Sequence, residues 1–133
     1  MLELESGIFR EVSGADVLEN DGNEIPCRPD AKFGSLLELT YPVAGRVLLP
    51  IAIEITEPPV PGHRDASTTV VFDEPFSLPF GISSFKILVV NEFRGDEDLV
   101  DGLYVVRLIH PGTKMAYWSR TFHLRNCEAR TAA

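Results

Sequence analysis

FKILVVNEF (85–93), LYVVRLIH (103–110) and MAYWSRTFHL (115–124) are three runs of apolar, β-branched and aromatic residues. Asp96–Gly102 separates the first two, and Pro111-Gly112-Thr113 separates the last two. Runs of this length bounded by Gly, Pro and Asp clusters read as strand, acidic loop, strand, tight turn, strand. The fold class that follows is antiparallel all-β.

Upstream the pattern continues. Ser35–Tyr41 alternates Leu37, Leu39 and Tyr41 against Glu38 and Thr40. Val47, Leu49, Ile51, Ile53 and Ile55 share one face of the next run, and the two runs are expected to form a hairpin. Pro50 cannot donate to a ladder, so the second run is expected at an edge or with a bulge. Residues 57–66 read as a stiff proline-rich connector, followed by strand-like Ser67–Phe72 and Phe76–Phe80. Helical periodicity is nearly absent; only Gly14–Glu19 is long enough for a turn or two. Seven to nine short strands with frequent turn signals imply a β-sandwich or barrel. We read 1–133 as a single domain, with 1–34 an irregular segment of short strands and 125–133 a flexible tail.

The closing residues carry a resemblance. Gly102-Leu103-Tyr104-Val105-Val106-Arg107-Leu108, a Pro-Gly turn, then Trp118 and Phe122-His123-Leu124 resemble the closing hairpin of immunoglobulin-like and related β-sandwich modules. The resemblance implies an immunoglobulin-like sandwich and transfers no functional residue. The sandwich disulfide with a tryptophan between its cysteines is not reproduced, because Cys27 and Cys127 fall outside the expected strands.

The net charge of −8 argues against nucleic acid as a partner, since phosphate binding is driven by Lys and Arg. The charge is unevenly placed. Residues 1–24 hold seven acids and one base, and residues 102–133 hold five bases and one acid. This asymmetry places the N-terminal segment near the C-terminal strands, in the same subunit or a neighbour. No basic leader with a long apolar run opens the sequence, and no 18-residue apolar stretch occurs, so neither export nor a membrane span is expected. The expected compartment is the cytoplasm, with Cys27 and Cys127 as reduced thiols; the alternative, a bond between them, would close a loop of roughly 100 residues and needs an oxidising compartment.

Two strands are apolar on both faces. Tyr104, Val106 and Leu108 oppose Leu103, Val105 and Ile109; Phe85, Ile87 and Val89 oppose Leu88 and Val90. One face of each strand in a two-layer sandwich should be wet. Leu88, Val90, Leu103, Val105 and Ile109 are therefore the candidate interface of a homo-oligomer or of a protein partner. The function expected is a non-catalytic binding or assembly module.

Two other classes are weighed against it. A small-ligand or carbohydrate module would need a pocket rimmed by Tyr117 and the 94–102 loop, with Arg94 as a polar contact. A metal-dependent enzyme would need converging ligands. Asp96, Asp98 and Asp101 supply hard oxygens for a cation, but their spacing departs from a calcium loop, and a solvated acidic loop is the simpler reading. His63, His110 and His123 match no zinc spacing. Gly81-Ile82-Ser83-Ser84 is not a nucleophile elbow. No catalytic residue and no cofactor is assigned.

Overall fold

The computed structural model describes residues 1–27, 31–40, 47–59, 62, 65–78, 84–92 and 100–126. Eleven strands lie among them: β1 (Leu2–Val12), β2 (Ala15–Asp21), β3 (Glu24–Pro26), β4 (Ala31–Thr40), β5 (Val47–Leu49), β6 (Ala52–Glu57), β7 (Ser67–Asp73), β8 (Phe76–Leu78), β9 (Ser84–Glu92), β10 (Gly102–Ile109) and β11 (Ala116–Arg125). The count exceeds the expected seven to nine; eight strands have six residues or more, and β3, β5 and β8 have three each. One sheet has the order β2-β1-β4-β9 and the second β3-β11-β10-β6-β7; β5 and β8 form a separate pair.

The N-terminal region is more regular than expected. Val12 pairs with Ala15 across Ser13 (φ 53°) and Gly14 (φ 84°), so β1 and β2 join through a two-residue turn with both central residues at positive φ. The segment expected as a helical turn is therefore strand β2. The Ser13-Gly14 pair is the local signal for the β1–β2 turn.

The expected hairpin between 35–41 and 47–55 does not form. β4 pairs with β1 and β9 in the first sheet, while β6 pairs with β10 and β7 in the second. Pro50 splits the long apolar run into β5 and β6, which is how a missing donor is accommodated when the rest of the run is central.

The core fills the space between the two sheets. Ile8, Phe33, Leu37, Ile87 and Val89 of the first face Ile25, Ile55, Tyr104, Val106, Leu108, Phe122 and Leu124 of the second. The Phe33 ring meets Tyr104 and Phe122 edge-on, at centroid distances of 6.0 and 5.4 Å. Tyr104 is fully buried; its hydroxyl donates to Val100 O (2.9 Å) and accepts from Val100 N (3.2 Å). A tyrosine near the start of this strand, hydrogen-bonded to backbone a few residues upstream, is the tyrosine corner of immunoglobulin-like sandwiches.

Cys27 is buried in the core cluster and is disulfide-bonded. This corrects the expectation of reduced thiols. The one other cysteine in the chain, Cys127, lies outside the described residues. β3 runs parallel to the end of β11, with Pro26 opposite Arg125 and Cys27 N donating to Arg125 O (2.9 Å). Among the described residues, no helix is long and apolar enough to cross a membrane.

Candidate functional site

Where β1 and β11 approach one another, a polar network crosses between the sheets. It begins with a local irregularity: Glu3 pairs with Leu37 and Glu5 with Leu36, so Leu4 is an extra residue. In a regular strand positions 3 and 5 share a face. The bulge turns Glu3 inward, level with Leu37, and leaves Glu5 outside.

On β11 the opposing residue is Arg120, level with the buried Val106. A charge on an inner face needs a partner, and Glu3 supplies it: Arg120 Nη1 donates to Glu3 Oε2, while Arg120 Nε donates to Asn23 Oδ1 (2.6 Å). The guanidinium also lies 5.9 Å from the Phe122 ring centroid. Glu3 Oε1 accepts from Trp118 Nε1 (3.0 Å) and Ser35 Oγ (3.3 Å). Ser35 Oγ also lies 2.6 Å from Ser6 Oγ, which donates to Gly34 O at 3.3 Å. The register of β11 slips at Tyr117, which leaves Arg120 on the inner face, where its charge is neutralised in place.

Beside this network lies an open groove of about 490 Å³, lined by Met1, Glu3, Asn23, Trp118, Arg120 and Thr121. The charge asymmetry of the sequence is resolved within one chain. Besides Glu3–Arg120, Glu24 pairs with Arg125 (2.7 Å) and approaches His123 Nδ1 (3.2 Å).

The residues singled out from sequence are dispersed. Leu103 is 59% exposed and Val105 half-buried on the outer face of the second sheet. Leu88, 36% exposed, and half-buried Val90 lie on the outer face of the first. The two pairs thus face opposite sides of the sandwich. Ile109 is fully buried opposite the buried Ala52, which removes it from any exposed interface. The turn after β10 folds back toward this end of the face, Arg107 Nη2 donating to Lys114 O at 3.2 Å.

Tyr117 packs against the core and donates its hydroxyl to Pro50 O (2.9 Å), so it is not a free stacking surface. Arg94, Asp96 and Asp98 lie outside the described residues; exposed Asp101 accepts from Asn126 N at 3.2 Å. His110 Nδ1 accepts from Gly112 N (3.0 Å) and Thr113 N (3.2 Å), holding the β10–β11 turn. His123 pairs with Leu103 at the opposite end of β10, about 23 Å away at strand rise. These two histidines do not converge, and His63 lies outside the described residues. No group of three metal-ligating side chains occurs among the described residues.

No family model matches the chain, and no curated protein is similar to it. The structure is similar to that of an immunoglobulin-like protein of Pseudomonas aeruginosa, at 21% identity and a TM-score of 0.59, covering 91% of this chain and 90% of that one. It is also similar to part of an alkylpurine DNA glycosylase of Pseudomonas fluorescens, bound to DNA containing an abasic-site analogue. There the identity is 22% and the TM-score 0.51, and the match spans 77% of this chain but 28% of the glycosylase. At these identities the likeness gives the fold: an all-β, immunoglobulin-like sandwich.

Proposed function

We propose that this chain is a non-catalytic binding and assembly module that meets a second copy of itself or a protein partner through its sheets. One observation carries the reading: Leu103 is 59% exposed on a strand paired on both sides. Next to it, Thr68, Thr56, Val105 and Thr121 form a row of β-branched side chains across four strands. A flat surface of this kind suits protein contact. The net charge of −8 and the engagement of Arg107 with Glu54 (2.9 Å) speak against the DNA that the glycosylase binds.

The test is sedimentation velocity of the whole chain beside Val105→Arg and Leu88→Arg, with circular dichroism of each. The expected result is association weakened by at least one of the two substitutions, with an unchanged β spectrum in both. A wild-type chain that neither self-associates nor loses a purified partner on either substitution would sink the reading.

A second reading is favoured by the groove beside Trp118 and Arg120: a small polar ligand or carbohydrate held there. A saturable rise in Tm with a sugar would support it. The disulfide of Cys27 speaks against the cytoplasmic placement expected from the sequence, because disulfides persist mainly in oxidising compartments.

A further inference from the structure

Among the described residues the two sheets end in four edge strands, and these are unequal. β3 is three residues long and ends on Pro26. β2 carries Asp16, Glu19 and Asp21, and its pairing with β1 slips between Ile8 and Phe9. β7 slips against β6, leaving Val71 as an extra residue. Short length, proline, charge and bulges are the devices that keep sheet edges from pairing. β9 has almost none of them: it runs in unbroken register with β4 from Thr40↔Ser84 to Lys32↔Glu92. Its middle, Ile87-Leu88-Val89-Val90-Asn91, is uncharged, with Lys86 at one end and Glu92 at the other.

We propose that β9 is a self-pairing strand, joining antiparallel to β9 of a second copy about a twofold axis at Val89. This register sets Leu88 opposite Val90, Ile87 opposite Asn91, and position 86 of each copy opposite position 92 of the other. Each end of this register sets a lysine position against a glutamate position, whereas an in-register parallel pairing would set like charges together. That complementarity selects a second copy among possible strands. Two chains of charge −8 repel elsewhere, and here they meet along five uncharged residues. The two four-stranded sheets become one of eight strands. On its outer face Leu36, Leu88 and Val90 of each copy form one apolar band. The twofold uses up both β9 edges, so assembly stops at a dimer.

The inference rests on the assembly reading above and assigns self-association to an edge, leaving the outer face of the second sheet for other partners. The experiment is native mass spectrometry with sedimentation velocity over a concentration series. We expect the wild type to dimerise, and Lys86→Glu or Glu92→Lys each to weaken the dimer about tenfold. The double exchange K86E/E92K restores it in part, because opposite charges again meet between copies while like charges now face Glu38 and Lys32 within each chain, and Val105→Arg leaves it unchanged. A wild type that stays monomeric at every concentration overturns the proposal, as does a dimer indifferent to both single reversals. Dimer loss on Val105→Arg with Lys86→Glu silent overturns the edge while upholding association through the face. Lys86 is exposed, so its reversal is expected to leave the fold intact, and circular dichroism checks this.

Discussion

β9 and β10 have nearly the same hydrophobic pattern and very different places in the molecule. Each alternates buried with more exposed apolar residues: Ile87 and Val89 against Leu88 and Val90, Tyr104 and Val106 against Leu103 and Val105. β10 is paired on both sides, by β11 and β6, whereas β9 ends its sheet beside β4. The difference teaches that periodicity encodes which face is buried and leaves lateral position undetermined. A strand's neighbours are set by non-local pairing and by the faces those neighbours must bury.

The largest effects are expected where a large side chain is cut from each inner face. Tyr104→Ala is expected to cost about 3–5 kcal/mol, since it empties the space beneath Phe33 and leaves the Val100 backbone groups without their partner. Ile87→Ala should fall near about 2 kcal/mol, at the low end for its type, because an edge strand relaxes more easily into the void. Tyr104→Phe isolates the corner hydrogen bond and should cost about 1 kcal/mol. Urea unfolding of the three variants measures all of this. An Ile87→Ala cost equal to that of Tyr104→Ala would show that lateral position does not matter.

Much of the fold was legible. The β10–β11 hairpin lies where its Pro-Gly turn predicted, and the inner faces of β9 and β10 follow from alternation alone. The partner of β4 was not legible: Ser35–Tyr41 and Val47–Ile55 are adjacent and complementary, yet they belong to different sheets. The interior has two layers, and pairing those runs would have left β9 without a neighbour. The polar network was half legible. The charge asymmetry pointed to contact between the chain ends, but the inward turn of Glu3 depends on a bulge at Leu4 that no local residue announces.

The polar network is expected to give effects of intermediate size. β11, next to β10, carries an inward charge; β9 carries none among Phe85, Ile87 and Val89. Glu3→Ala strands the Arg120 guanidinium against Phe122 and removes the acceptor of Trp118 Nε1 and Ser35 Oγ. Both charged side chains are about a quarter exposed, so water recovers part of the loss, and the expected cost is about 1–3 kcal/mol. The double variant Glu3→Gln with Arg120→Met removes the buried charge together with its partner. It should recover part of the stability in the same urea measurement, because charge and counter-charge leave as a unit.

The smallest expected effect lies on the outer faces. Leu103→Arg and Leu88→Arg should each change the stability of the dilute chain by no more than about 0.5 kcal/mol, because neither side chain is held in the core. Leu103 contacts water over more than half of its surface, and an arginine stem covers the same neighbours with its charge directed outward. Leu88 is less exposed, yet on an edge strand the longer side chain has room to lean away from Leu36. Thermal melts at low concentration test this, and a loss of more than about 2 kcal/mol at either site would assign that residue to the core. The two substitutions part company only as concentration rises: Leu88→Arg introduces charge where two copies of β9 meet, whereas Leu103→Arg lies on the far side of the sandwich. Equal melts in dilute solution with unequal concentration dependence would therefore be the mark of an edge and a centre built from one pattern.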